Sequence, residues 1–286
     1  MTDASIAKNN KIDEHANQSF RFVQLSDLHL SSPQITNPIR LFNKRILGYL
    51  SWLRRRRRIH QRQVLEFAID KILQLNIDHQ VITGDLLHIG LKNEFEQCAK
   101  WLGQFNPKDI TIIPGNHDLY VKEKWSRSFK YWQDYMEGDE KPDWDELNGD
   151  DAYEKLTQLY PTVRIRGNVA FICISSIFEA PWFRATGFIN HNQLKQLYSL
   201  LNEPNLDNYC KILLVHHPVT LTNTKPRKCL INHKELTTLL FESPVNMILH
   251  GHEHKTLIEY IDTNSNTKIP VIGIASSSSN SQTKNS

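Results

Sequence analysis

Apolar residues recur along this chain with two different periods, and the period changes where the elements change. Residues 20–25 are apolar and β-prone and run into Ser26-Asp27-Leu28-His29, which predicts a strand ending in a loop of chemically active side chains. Over 38–53 the spacing becomes helical, with Ile39, Phe42, Ile46, Tyr49, Leu50 and Leu53 near one face; Arg54, Arg55, Arg56, Arg57 and Arg58 follow at once. Residues 63–75 predict a second helix, with Val64, Phe67, Ala68, Ile72 and Leu75 on one side. A strand at 79–83, a helix at 93–105 and a strand at 110–113 come next. This β-α-β alternation predicts an α/β sheet.

The alternation stops at 119–160. Ten acidic residues lie between Asp134 and Glu154, mixed with Trp132, Tyr135, Trp144 and Tyr153, and the segment is expected to be an insertion or cap over the site. Strands resume at 169–174, 211–215, 245–249, 257–261 and 270–274. Residues 1–19 read as a loose polar tail, and the Ser- and Asn-rich residues 276–286 as a disordered one. One domain over 20–275 is expected, with a basic helical insertion at 36–62 and the acidic aromatic cap at 119–160.

Composition changes this picture in one respect. The net charge of +3 over 286 residues is small, but nine Arg and Lys and no acidic residue lie between Leu28 and Leu65. Removing those nine leaves 25 basic against 31 acidic residues, so the rest of the chain stands at −6. Charge this local points to a contact surface. Cys98, Cys173, Cys210 and Cys229 are scattered without a CxxC pair, which fits thiols in a reducing compartment. The polar first twenty residues carry no signal-peptide pattern, and no apolar run reaches the ~20 residues that span a bilayer. The expected location is the cytoplasm, or the inner face of a membrane as a peripheral protein.

Five clusters carry candidate chemistry, each just after an apolar strand: Asp27-Leu28-His29, Gly84-Asp85, Gly115-Asn116-His117-Asp118, His216-His217 and Gly251-His252-Glu253-His254. Strand ends are where open α/β sheets place their sites. Each cluster alone is weak, because a histidine after a strand is more often a hydrogen-bonded structural residue and a Gly-Asp pair is usually a turn. Together they supply two Asp, one Asn and four His, donors that suit Mn, Fe, Zn or Ni and that would be costly to bury together without a cation.

The ordered set D-x-H, GD, GNH[DE], H and GH-x-H resembles the calcineurin-like metallophosphoesterases over roughly residues 20–275. The resemblance implies a four-layer α/β/β/α sandwich of two facing mixed sheets, with two divalent metal ions, Mn foremost, at the strand ends. It implies that Asp27, His29, Asp85 and His254 hold one ion and that Asp85, Asn116, His216 and His252 hold the other, with Asp85 bridging. His216 is the better match than His217, because the family ligand directly follows the strand. His117 would face the leaving group as general acid or hydrogen-bond donor. Two cations ~3.5–4 Å apart neutralise phosphoryl oxygens and activate water for in-line attack. One position departs: three residues after the bridging Asp, where the phosphoprotein phosphatases carry an acid that orients the catalytic His, this chain has His88. Asp118 is the sequence's candidate for that supporting role. The departure argues against a protein Ser/Thr phosphatase and for the smaller phosphodiesterases and pyrophosphatases.

Two uses of the basic segment stand open. Arg54 to Arg58 can pair with the acidic residues at 134–154, or the helix with Trp52 can lie on an anionic leaflet. Asn43-Lys44-Arg45, the Arg run and the Ser26–Leu30 opening also resemble the bacterial UDP-2,3-diacylglucosamine pyrophosphatases. That resemblance implies a lipid-linked or nucleotide-linked substrate at the membrane surface, with Trp182, Phe183 and the cap sheltering acyl chains, unless those aromatics only pack the insertion. The alternatives are a soluble phosphodiesterase acting on cyclic nucleotides or other diesters, a nuclease, and a binding scaffold without activity. Nucleic acid is disfavoured, because no aromatics interleave with the arginines; a scaffold is disfavoured because every family ligand is present.

Overall fold

A computed structural model describes residues 19–280 except 145 and 148. Two sheets organise the chain. The first is built from β1 (Phe22–Leu25), β2 (His79–Ile82) and β3 (Ile110–Ile112), all parallel, in the order β1-β2-β3. The second contains β4 (Thr162–Arg166), β5 (Val169–Cys173), β6 (Cys210–Leu214), β7 (Met247–His250), β8 (Leu257–Asp262) and β9 (Lys268–Gly273), in the order β4-β5-β6-β7-β9-β8. Its four inner strands are parallel and its edge strands β4 and β8 are antiparallel. The expected mixed α/β fold with two sheets is thus present, but only the six-stranded sheet is mixed.

The period-2 pattern of β5, β6 and β7 decides which residues meet which layer. Phe171, Leu214 and Leu249 join Leu25, Val81 and Ile112 in one core, where Phe22 meets Phe171 edge-on at 5.4 Å. Their neighbours Ile172, Leu213 and Ile248 turn the other way into a second core with Leu194 and Leu197 of α7 (His191–Leu201) and Leu236 and Leu240 of α8 (His233–Glu242). The crossovers of the first sheet are α3 (Arg62–Leu73), which follows β1, and α4 (Lys92–Leu102), which follows β2. Every residue of β2 is buried, as a parallel strand covered on both faces requires.

The basic segment is one nearly continuous helix: α1 (Arg45–Ser51), a π-helical stretch at Trp52–Arg56, and the turn α2 (Arg57–Ile59). It docks through Arg45, which is buried and donates to the carbonyls of Ile89 (2.9 Å) and Gly90 (2.5 Å) while pairing with Glu123 at 3.2 Å. Gly48 permits the close approach, since a Cβ there would lie 2.6 Å from Ile89 Cγ2. Most of the predicted apolar stripe therefore faces outward: Ile39, Phe42, Ile46 and Leu50 are exposed, Phe42 at 83%, while Tyr49 and Leu53 are half-buried.

Two expectations are corrected. Residues 119–160 do not cap the site. Trp125, Phe129 and Trp132 are buried in the first core, with the ring of Phe95 of α4 tilted against Trp132 at 4.8 Å, and among the described residues only Tyr120 of this segment lines the cleft. Two short helices finish it, α5 (Gln133–Met136) and α6 (Ala152–Leu159). Among its described acids, Asp151 pairs with Lys122, Asp150 with Lys124, Glu137 with Lys141 and Asp139 with Arg166, so these four do not serve the arginine run. Nor are residues 276–280 disordered: Ser277 N donates to Ser26 O, Ser276 Oγ donates to Asp27 O, and Asn280 N donates to Ile59 O. Residues 1–18 and 281–286, the rest of the two expected tails, lie outside the described residues. Among the described residues no helix is long and apolar enough to cross a membrane.

Candidate metal centre

All five clusters meet where the C-terminal ends of β1, β2, β3, β6 and β7 converge. Main-chain bonds tie the loops together: Asp27 N donates to Gly84 O (2.9 Å), His29 N to Asp85 O (3.1 Å) and Gly251 N to His216 O (3.1 Å). Asp85 Oδ1 accepts from His117 N at 2.7 Å, and Asp27 Oδ2 accepts from His252 N at 3.0 Å. The backbone is driven into the left-handed region at Asp27, His29, Asp85, His252 and His254, with φ between 43° and 72°. Such positions cost roughly 1–3 kcal/mol each and persist where surrounding structure over-determines them. Here they turn five donor side chains inward. Gly115 is required for a different reason, because a Cβ there would collide with Asp85 N and Oδ1.

The donors fall into two sets. Asp27, His29, Asp85 and His254 each place a ligand atom within 4.8 Å of the others. His216 Nε2 lies 3.4 Å from Asp85 Oδ2, 3.2 Å from Asn116 Oδ1 and 3.3 Å from His252 Nδ1. Asp85 lies in the first set, and its Oδ2 faces His216 of the second. The sets fit cations on three counts. His29 Nε2 and His252 Nε2 are buried and make no hydrogen bond. His29 and His216 are aimed by their other nitrogen, Nδ1–H donating to Leu87 O (2.6 Å) and Thr83 O (2.7 Å), as metal-bound imidazoles are. All the donors are N or O.

Without metal, the charges compensate one another. Burial alone would raise Asp27, but His254, 3.0 Å away, and His216 outweigh it and hold the carboxyl well below its ordinary range. Burial would lower His216, but Asp85 and Asp27 raise it to about 9, so a proton on Nε2 sits where the second set converges. His29 and His252 are pushed well down by burial and by neighbouring imidazoles, and stay neutral, the form a metal needs.

His117 is supported differently from the expectation. Asp118 accepts from Leu87 N (2.9 Å) and Gly115 N (2.8 Å), so it braces the two loops and does not touch the His117 ring. The ring is held instead by the main chain of His88, Nδ1–H donating to His88 O at 2.5 Å. The residue three after Asp85 thus acts through its carbonyl, while its imidazole stacks on His29. Burial and the adjacent Arg56 push His117 well down. Arg56 Nη1 lies 3.0 Å from both ring nitrogens.

Of the five consecutive arginines, only Arg56 is half-buried and turned against His117; Arg54, Arg55, Arg57 and Arg58 are exposed, with Arg55 on the cleft rim. Trp52 is half-buried, stacked on Tyr49 and tilted towards His88. The cleft measures about 640 Å³, and Lys44, Arg184, Arg227, Lys228 and Lys255 also line it. Phe183 lines it too and is 75% exposed beside exposed Trp182. Sequence reasoning missed His60, whose ring centroid is 4.3 Å from that of His29. It follows a helix rather than a strand, so a search of strand ends passes over it.

Two sheets whose strand ends bring buried Asp and His donors together define a metal-dependent hydrolase of phosphoric esters. The chain belongs to the calcineurin-like phosphoesterase family, whose sequence pattern it matches over residues 20–256. That family is dimetal-dependent, and the protein is a metal-dependent phosphoester hydrolase. It is 24% identical over 240 residues to a "Probable cyclic nucleotide phosphodiesterase" of Ruthia magnifica subsp. Calyptogena magnifica, covering 83% of this chain and 79% of that one. In fold it is similar to a dimetal phosphatase from Danio rerio (TM-score 0.55, 13% identity, 91% of this chain and 88% of that one). It is also similar to a purple acid phosphatase from yellow lupin seeds (TM-score 0.53, 12% identity, 91% and 44%).

Proposed function

We propose that the protein cleaves a phosphodiester or pyrophosphate bond in an amphiphilic, lipid-linked or nucleotide-linked substrate presented at an anionic membrane surface. Asp27, His29, Asp85 and His254 hold one divalent ion and Asp85, Asn116, His216 and His252 the second, with Mn foremost. When bound, the two ions neutralise the phosphoryl oxygens and acidify the attacking water. Asp85 sets their separation. Lys228 and Arg184 supply further positive charge for a second anionic group. With His117 Nδ1–H engaged by His88 O, its Nε2 faces Arg56 Nη1 at 3.0 Å, and the two are placed to serve the leaving oxygen, His117 by proton transfer and Arg56 as an N–H donor.

One observation carries the membrane part. Ile39, Phe42, Ile46 and Leu50 form an exposed apolar stripe that runs into exposed arginines at Arg54, Arg57 and Arg58, alongside the cleft. An outward stripe of this kind enters a headgroup layer while arginines at its end contact lipid phosphates. The similarity to a cyclic nucleotide phosphodiesterase favours a second reading, a small soluble diester that needs only the polar, basic cleft. A panel with Mn separates the two: an acylated UDP-sugar, a cyclic nucleotide and a small aryl diester, each with and without phosphatidylglycerol vesicles. The membrane reading expects vesicle binding that Arg54→Ser/Arg57→Ser/Arg58→Ser abolishes and turnover led by the acylated substrate. Fastest turnover on the cyclic nucleotide, with vesicle binding absent, would establish the second.

A further inference from the structure

His60 ends the basic helix, outside all five strand-end clusters, yet its side chain is buried at the candidate centre. Its ring stands edge-on to His29 at 4.3 Å and to His254 at 5.4 Å. One ligand atom each of His29, His60 and His254 lies within 4.8 Å of the others. Two imidazole nitrogens on opposite sides of one ion stand about 4.2 Å apart, at metal–nitrogen distances of ~2.1 Å, so the trio closes on a cation with little movement. His29 and His254 also belong to the set with Asp27 and Asp85, so the trio with His60 and that set share two imidazoles.

The way His60 is held is the second observation. Its Nδ1 bonds to Ser278 Oγ at 3.0 Å, with Ser276 Oγ at 3.3 Å, and Ser276 Oγ itself donates to Asp27 O. The main chain clamps the same point: Gln61 N donates to Ser278 O and Asn280 N to Ile59 O. His60 is therefore tethered through Nδ1 and lines the cleft, much as His29 is tethered to Leu87 O and His216 to Thr83 O.

We propose that His60 is an additional imidazole ligand of the first ion, the one held by Asp27, His29, Asp85 and His254, delivered by the junction of the basic helix with Ser276–Ser278. The proposal rests on the two-ion reading above. It makes seating of the basic helix and loading of the first ion one event, because both use the same residue.

Cobalt(II) titration of the full chain, stripped of metal with a chelator, tests it. The wild type takes up two ions. In an Asn116→Ala background, which disables the second set, one ion remains. Adding His60→Ala or His60→Gln there is expected to weaken that ion at least tenfold and to shift its visible d–d band, as loss of a nitrogen donor requires. In an Asp27→Asn background, which disables the first set, the same substitutions are expected to leave the remaining ion within twofold. Unchanged affinity and band in the Asn116→Ala background would overturn the assignment of His60 while leaving the two-ion reading intact. Equal loss at both sites would overturn it in favour of a packing role. Uptake of no cobalt by the wild type would overturn both. Melting of the metal-free variants within a few degrees of the wild type shows that the fold is retained, and Gln, which retains a polar side chain at the tether, covers a failure of Ala.

Discussion

Asp85 links the β2 loop to both the Asn116-His117 loop and His216. One oxygen accepts from His117 N, the other faces His216, and Asp85 itself groups with Asp27, His29 and His254. Asp85→Ala is expected to lower kcat by at least ~10³-fold, in line with losing a main electrostatic element of a site, and to leave less than one ion per chain in metal analysis. Gly115 tests the packing behind it. Because a methyl group there meets Asp85 itself, Gly115→Ala is expected to destabilise the fold by about 1–3 kcal/mol in urea denaturation and to weaken metal uptake as well. Retention of both properties would mean that the 115–118 loop moves freely away from Asp85. Arg56 and its exposed neighbours offer a contrast within a single run of identical residues: Arg56→Met should reduce kcat, whereas Arg57→Ser should change kcat little and act only on vesicle binding.

Between elements, the docking of α1 is the informative contact. Arg45 is the only arginine of that helix whose side chain is buried, and it bonds two carbonyls of the loop that also holds His88. Arg45→Met should cost about 2–3 kcal/mol, since the carbonyls of Ile89 and Gly90 lose a charged donor in a buried place. It should also loosen Arg56 from His117, seen as a fall in kcat larger than the rise in KM. Ile46→Asp/Leu50→Asp, on the opposite face, should change stability by no more than about 0.5 kcal/mol and abolish vesicle binding. A large loss of stability in that pair would show that the stripe packs against protein. The helical period over 38–53 was legible from the sequence, but not which way the stripe points. Apolar spacing ordinarily marks the buried face, and here an arginine and a glycine occupy it instead.

Across the whole molecule, the pH response follows from imidazoles kept neutral by the fold. Burial, with Arg166 and Arg164 nearby, pushes His79 in β2 from 6.5 down to about 3; burial, His254 and Arg56 do the same to His60. Each is protonated in the unfolded chain below pH 6.5 while the folded chain refuses the proton. Stability is therefore full above about pH 6.5 and is lost as pH falls from there towards 3, by about 1.4 kcal/mol per pH unit for each group. Urea denaturation of the metal-free protein at pH 7.5 and 5.5 should show the loss, and His79→Gln, remote from the metal set, should reduce the difference by about 1.4 kcal/mol. The opposite shift of His216, up to about 9, means that metal uptake at pH 7.5 should release a proton. Calorimetry in buffers of different ionisation enthalpy measures that release; identical heats in all of them would show that His216 is already neutral.

Local pattern alone determined where β1, β2, β3 and β5 lie and that chemically active residues follow the strands, because strand period and turn chemistry act over a few residues. The order of the five blocks determined the family in the same way. Only the tertiary structure decided that Asp118 braces loops while the carbonyl of His88 holds His117, and that the buried aromatics of 119–160 thicken a core rather than cover a cleft. Those outcomes depend on contacts between segments tens to hundreds of residues apart, such as Ser276 with Asp27 and His117 with Asp85. A carbonyl has no side-chain signature, so the support of His117 could not be seen in the sequence. His60 was hidden for a related reason: its place beside His29 is set by where a helix ends and a serine segment returns, and no local pattern encodes that meeting.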